Sequence, residues 1–343
     1  MASKYKINRK AILTDSDGTR DLIAESVVYE DSFTATNTIR SLSPDYFEGH
    51  FGPSNPFQGG ISGYASGGKF PQFTSHNNIQ KFSFTTDANA TDVGDLTRNV
   101  AGASGQSSFT HGYTSGPSII DKFTFSSDAN ATDVGDLTVA RGDQAGQSST
   151  NSGFGYASGE GTVIDKFPFA ADTNATDVGD LTISRQEQAG QSSSTHGYNA
   201  GTNPPYGTTD TIDKFPFSTD ANATDVGDTT AARIRATGQS SDISGYVSGG
   251  GNLGPSLSAG TTIIDKFPFA VDANSTDVGD LTQARAYVSG QSSTQSGYTS
   301  GGWLSPPFTG TDTIDKFPFS SDANAADVGN LNASRHILTG QQV

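Results

Sequence analysis

The chain has 343 residues, with 36 acidic side chains against 20 Lys and Arg and a formal net charge of −16. That balance argues against nucleic-acid binding, which needs clustered cations, and against anionic membrane surfaces; no apolar run is long enough to span a bilayer. There is no cysteine, which excludes disulfides, thiol nucleophiles, iron–sulfur clusters and cysteine-based zinc sites.

Residues 1–58 do not share the repeated wording of the remaining chain. The opening MASKYKINRKAILTDSDG is basic but has no apolar core, so it does not read as a signal peptide. Segments 22–29 and 33–39 are rich in β-branched residues and are predicted as strands. Residues 43–58 mix Pro, Gly and aromatics and read as an ordered linker. The segment is predicted to be an arm; an extra strand against the side of the main domain is the alternative.

From residue 59 to 343 the chain repeats three phrases in order. One is the run typified by residues 164–182, IDKFPFAADTNATDVGDLT, with further copies from Ile79, Ile120, Ile212, Ile264 and Ile314. Another is Gly-Gln followed by small residues, at Gly105, Gly146, Gly190, Gly238, Gly290 and Gly340. The third is Gly-Tyr-x-[Ser/Ala]-Gly, around Tyr64, Tyr113, Tyr156, Tyr198, Tyr246 and Tyr298. Successive central lysines, from Lys81 to Lys316, lie 41 to 52 residues apart. That is the length of a propeller blade.

The predicted fold is therefore all-β, a six-bladed β-propeller of four-stranded blades. GQSS marks the first strand, GYxSGG the second, IDKFPF the third and GDLT the fourth. The period-two pair Phe215 and Phe217, with Ile212 on the other side, suits a strand buried on both faces. The first Gly-Tyr phrase has no Gly-Gln phrase before it, and the last Gly-Gln phrase has no Gly-Tyr phrase after it. The strand around Gly340 should therefore pair with the strand around Tyr64, closing the ring with a shared blade.

A second strand ending in Gly-Gly, a polar-aromatic third strand, a fourth strand, and an Arg before the next first strand (Arg141, Arg185, Arg233, Arg285, Arg335) together resemble the kelch repeat. The Trp that kelch repeats carry before the fourth strand is absent from every copy, so the blades are kelch-like. The wording IDKFPF…NATDVGDLT…GQSS…GYxSGG, which covers residues 61–343, is similar to repeat proteins of marine cyanobacterial viruses and related marine phages. That resemblance implies a virion or host-contact protein, although the propeller itself hosts many functions.

Strand alternation places the loops on two unlike faces. The third-to-fourth loops read D-x-N-[AS]-T-D-V-G-D, with Asp at positions one and six in every copy, and predict an acidic ring. Oxygens of Asp128, Asn130, Thr132 and Asp136 have the spacing of a calcium hairpin loop. Asp133 stands where such loops carry Gly, and the other reading is a set of Asx-turns that close the hairpins. The final copy, with Ala326 and Asn330, would hold an ion worst. The D-x-G core is similar to the structural Asp-box of sialidase propellers, but only Ser275 fits its Ser position.

The opposite face carries loops of variable length, at 69–78, 202–211, 251–263 and 303–313. Tyr206, Trp303 and Phe308 are aromatics in polar, Pro-rich settings, suited to sugar rings or protein partners. Packing each loop onto its own blade is the plain alternative. The five histidines and the unique Glu160 and Glu187 form no recognisable catalytic motif.

The expectation is a non-enzymatic structural protein of a phage particle, localised to the virion, associated with the tail or a fibre, and needing no cofactor. Its partners would be other virion proteins, held through the arm, and a host receptor or surface glycan. The alternatives are a purely architectural decoration protein and a glycan-degrading propeller enzyme.

Overall fold

The computed structural model describes residues 57–343, except 71–73, 150–151, 203–208, 252–259 and 305–308, together with three short strands nearer the N-terminus. Two compact units result, Met1–Ser54 and Asn55–Val343. The first contains an antiparallel sheet of Lys6–Ile7, Val28–Glu30 and Thr38–Ile39. The latter two overlap the strands predicted in 22–29 and 33–39. The second unit begins four residues before the expected start at 59: Phe57 and Gln58 are already buried in it.

The second unit is a six-bladed β-propeller of four-stranded antiparallel blades. The first strands of blades one to six are Thr339–Gln342, Ser104–Ser107, Ala145–Ser149, Ala189–Ser192, Thr237–Ser240 and Ser289–Ser292. Blade three continues through Phe154–Ser158, Gly161–Pro168 and Thr176–Arg185, and the others keep its order. Blade one is the shared blade, with Gly340 opposite Ala65 and Gln341 opposite Tyr64. Pro168 is the last residue of its strand, where its missing N–H costs no interior ladder bond.

Each repeated word is explained by the neighbouring blade. The six Gly-Gln glycines line the axis so closely that a Cβ on any of them would collide with the carbonyl oxygen of the adjacent blade's glycine. Each following glutamine reaches the next blade and donates to its tyrosine carbonyl, as Gln147 does to Tyr198 O at 3.0 Å and Gln291 to Tyr64 O at 3.0 Å. The tyrosine rings stack across the same seam, Tyr156 on Phe217 at 4.9 Å and Tyr298 on Phe84 at 4.7 Å. Such pairs contribute about 0.5–1.5 kcal/mol each beyond area burial.

A deeper fastening joins the fourth strand of one blade to the third strand of the next. Asp213, fully buried, accepts from Thr182 N at 2.9 Å, from Thr182 Oγ1 at 2.6 Å and from the Arg185 guanidinium at 2.9 Å. Asp165 with Arg141, Asp265 with Arg233 and Asp315 with Arg285 repeat this ion pair. Two seams depart from it. In blade one Val100 holds the arginine slot, and Arg98, two residues earlier, reaches Asp121 instead at 3.0 Å. Where blade six meets blade one, Gln80 replaces the aspartate and accepts from Asn332 N, while Arg335 turns to Asn78 Oδ1 at 3.0 Å.

The axial cavity and the two faces

The acidic loop phrase is used for joining blades. Its position-one aspartates pair with the IDKF lysine of the preceding blade at all six seams, for example Lys81 with Asp128 at 3.2 Å and Lys316 with Asp87 at 3.0 Å. The predicted acidic ring is thus interleaved with lysines. At positions three and four the loop exchanges two bonds with the position-nine backbone of the preceding blade: Asp95 N donates to Asn130 Oδ1 at 3.0 Å, and Ala131 N donates to Asp95 O at 2.8 Å. Position-six aspartates make Asx-turns, as Asp133 Oδ1 does with Gly135 N at 3.2 Å.

The four candidate calcium residues consequently face different tasks. Asp128 meets Lys81, Asn130 meets the Asp95 amide, Thr132 Oγ1 lies 3.5 Å from Lys122 O, and the Asp136 amide donates to Asn174 Oδ1. Among the described residues no group of three or more His, Asp or Glu side chains is placed to hold a metal ion.

On the variable-loop face, Tyr206 and Phe308 lie outside the described residues. Trp303 is described and half-buried. It starts a short strand, Trp303–Leu304, that pairs with the end of blade five, Ala286 opposite Trp303. Its ring meets the buried His336 edge-on at 4.5 Å, and His336 in turn lies 6.0 Å from Tyr287.

Tyr287 belongs to a ring of residues at the axis. Gly102, Asp143, Glu187, Arg235, Tyr287 and Ile337 occupy one slot, three residues before each Gly-Gln glycine. Each backbone N–H donates to the carbonyl of the preceding blade's slot residue, closing a circle of bonds between 2.6 and 3.4 Å. All six are left-handed, with φ from 50° at Asp143 to 72° at Gly102. In five blades an L side chain accepts that conformation, although residue type at the slot favours glycine in only one copy.

The ring lies where fourth strands turn into first strands, at the mouth of an axial cavity of about 140 Å³. Phe57 lines the same cavity and is anchored near the other end of the inner strands, where Gly59 N donates to Ser292 O at 2.7 Å and Gln58 Nε2 to Ser293 O at 3.3 Å. The mouth therefore opens on the face that carries Trp303.

Charge is unevenly spread at the mouth. Glu187 pairs with Arg235 at 3.0 Å, and the Arg235 guanidinium lies over the Tyr287 ring at 4.2 Å. Burial first, then Glu187, pushes the Tyr287 hydroxyl pKa well up. Burial, followed by the charges of Glu187 and Glu160, pushes the Asp143 carboxyl up to about 6, against the opposing pull of Lys69 and Arg235. Glu160 accepts a hydrogen bond from Gly142 N, which brings it beside the Asp143 turn. Glu160 and Glu187, separate in sequence, thus converge with Asp143.

Asp143, Arg235 and Tyr287 escape a search for motifs. Their signal is variability: the slot carries six different residues, within a short stretch before each Gly-Gln phrase that differs from blade to blade. The two repeat-slot histidines, His111 and His196, sit elsewhere, each with Nδ1 2.8 Å from the preceding threonine hydroxyl. Burial, then Lys122 or Lys214, lowers their pKa values. No family model matches the chain, and no curated protein matches it in sequence.

Proposed function

We propose that the propeller is a binding module of a phage particle, carried on a tail or other host-facing appendage, whose variable-loop face contacts a host receptor or surface glycan. One observation carries the binding side of this reading. The lysine–aspartate pairs recur at all six seams, whereas the short stretch before each Gly-Gln phrase varies from blade to blade and the axial slot within it carries six different residues, Gly102, Asp143, Glu187, Arg235, Tyr287 and Ile337. Length-variable loops and Trp303 share that face. Binding residues concentrate in such variable positions on a rigid scaffold. The virion side rests on the resemblance of the repeat wording to marine phage proteins, with residues 1–58 as the attachment arm.

Host-envelope binding by the purified chain tests the reading. Trp303→Ala is expected to reduce it about tenfold or more, since aromatic anchors dominate such contacts. Undiminished binding, or none by the unaltered chain, would leave an architectural role on capsid or tail.

The convergence of Asp143, Glu160 and Glu187 favours a second reading, hydrolysis of a glycan. A carboxyl pushed up to about 6 by burial and by two neighbouring carboxyls is suited to act as a general acid. Release of reducing ends from host polysaccharide, lost in Glu187→Gln, would establish it.

A further inference from the structure

Five seams of the propeller carry the same buried clasp and the sixth does not. Asp121, Asp165, Asp213, Asp265 and Asp315 each accept from a threonine hydroxyl and an arginine of the preceding blade, at 2.5–3.0 Å. Between blades six and one both polar partners are exchanged: Gln80 stands for the aspartate and Asn332 for the threonine. One bond of 2.7 Å remains, from Asn332 N to Gln80 Oε1, and Gln80 Nε2 is buried with no partner. Arg335 keeps the arginine position and is buried, but it makes no salt bridge among the described residues. It reaches Asp92 only through Asn78, which accepts from the guanidinium at 3.0 Å and donates to Asp92 Oδ2 at 2.7 Å. A guanidinium buried without its carboxylate costs free energy that the other seams do not bear.

A second, independent ring weakens at the same place. Around the inner strands each blade donates one N–H to a side-chain oxygen of the next, at 2.9–3.0 Å at five seams. Between blades six and one that bond, Ser292 N to Gln342 Oε1, is 3.4 Å. On the opposite face the axial-slot bond of this seam, Ile337 N to Tyr287 O at 2.9 Å, is as short as its neighbours. The seam is thus loose on the face of the acidic loops and held on the face of the variable loops.

The loose side is crossed by the chain itself. Ile61 N donates to Val343 O within blade one, whereas the residues before it are fastened to blade six. Gly59 N donates to Ser292 O at 2.7 Å, Thr294 N to Gly59 O at 3.0 Å, and Gln58 Nε2 to Ser293 O at 3.3 Å. A Cβ on Gly59 would come within 2.5 Å of Val343 O, so the backbone lies in the crease between the two blades. Phe57, buried, lines the axial cavity beside them. In the other five blades the residues at this place only join the first strand to the second.

We propose that residues 57–59 form a strap that keeps the ring closed across its least-fastened seam, and that the propeller opens between blades six and one, hinged on 331–338, when the strap is released. Opening there parts Ser289–Ser292 from Thr339–Gln342, two walls of the axial cavity, and leaves the blades themselves intact. The strap acts whatever the variable-loop face binds.

Hydrogen exchange of the full chain, read by mass spectrometry, tests it. Residues 327–337 and 225–235 occupy matching places in blades six and four, with the same secondary structure, before the seams with blades one and five. Phe57→Ala with Gln58→Ala should speed exchange in 327–337 about tenfold or more and leave 225–235 within about twofold. Gln80→Asp with Asn332→Thr, which rebuilds the clasp around Arg335, should slow 327–337 in the unaltered chain and reverse the acceleration in the strap variant. Equal acceleration of both segments, no acceleration, or no effect of the rebuilt clasp would overturn the inference. Should the strap variant fail to fold, the rebuilt clasp in the unaltered chain decides, and exchange in 327–337 that does not slow overturns it.

Discussion

Truncating two aspartates of the same repeat should have very different costs. Asp213 and its partner Arg185 have fully buried side chains. In Asp213→Ala the guanidinium keeps the carbonyls of Asn199 and Thr211, both at 3.3 Å, and a long contact of 3.5 Å to the Thr182 hydroxyl, while the Thr182 hydroxyl and amide lose their carboxylate acceptor. Breaking one side of a buried ion pair costs about 3–5 kcal/mol. Asp220 pairs with Lys166 at 2.5 Å, but its side chain is 59% exposed. Removing such a surface partner costs under about 1 kcal/mol. At roughly 2–4 °C per kcal/mol, Asp213→Ala should melt about 6–20 °C lower than the unaltered chain, and Asp220→Ala less than about 4 °C lower. Scanning calorimetry, with urea unfolding to check that the m-value is unchanged, measures both. Equal shifts, or a larger one for Asp220→Ala, would refute the assignment of the interblade strength to the Arg–Asp fastening. Replacing both buried partners, Arg185→Met with Asp213→Leu, should recover much of the loss, because no uncompensated charge remains.

Two further outcomes concern single side chains. The folded Asp143 carboxyl sits at about 6, above its ordinary 3.8, so the fold favours its protonated form and loses stability as pH rises through 6. Asp143→Asn should therefore match the unaltered chain below about pH 4 and exceed it by about 1–2 kcal/mol above pH 7, after allowance for solvent screening; urea unfolding across that range checks it. Ala200 occupies the slot where Ser66, Ser115, Ser158, Ser248 and Ser300 each donate to the glutamine of their own blade, and Gln191 Oε1 is left without a partner. Ala200→Ser should stabilise the propeller by about 1 kcal/mol, read as a higher urea midpoint.

The architecture was legible because every blade states its strands in the same words, and because the unmatched phrases at the two ends complete each other. The meaning of the words was less so. The D-x-N-[AS]-T-D-V-G-D phrase suggests a self-contained ion loop, yet Asp128 and Asn130 meet Lys81 and Asp95 of the preceding blade, contacts that spacing along one loop does not reveal. The exchange of Arg98 for the arginine missing at Val100 is likewise visible only once blades adjoin. For the site, Trp303 and the unique Glu160 and Glu187 were visible, but their relation to Asp143, Arg235 and Tyr287 was not. A slot identified by its lack of any preferred residue leaves no motif to find.

At the axial ring the circle of six hydrogen bonds is made entirely by main-chain atoms. Closure there is indifferent to the side chain, because five unrelated L residues already tolerate the left-handed backbone. The propeller thus has a rim of six independently editable positions. Lineages could rewrite its chemistry one residue at a time while the seams between blades keep the body of the protein unchanged.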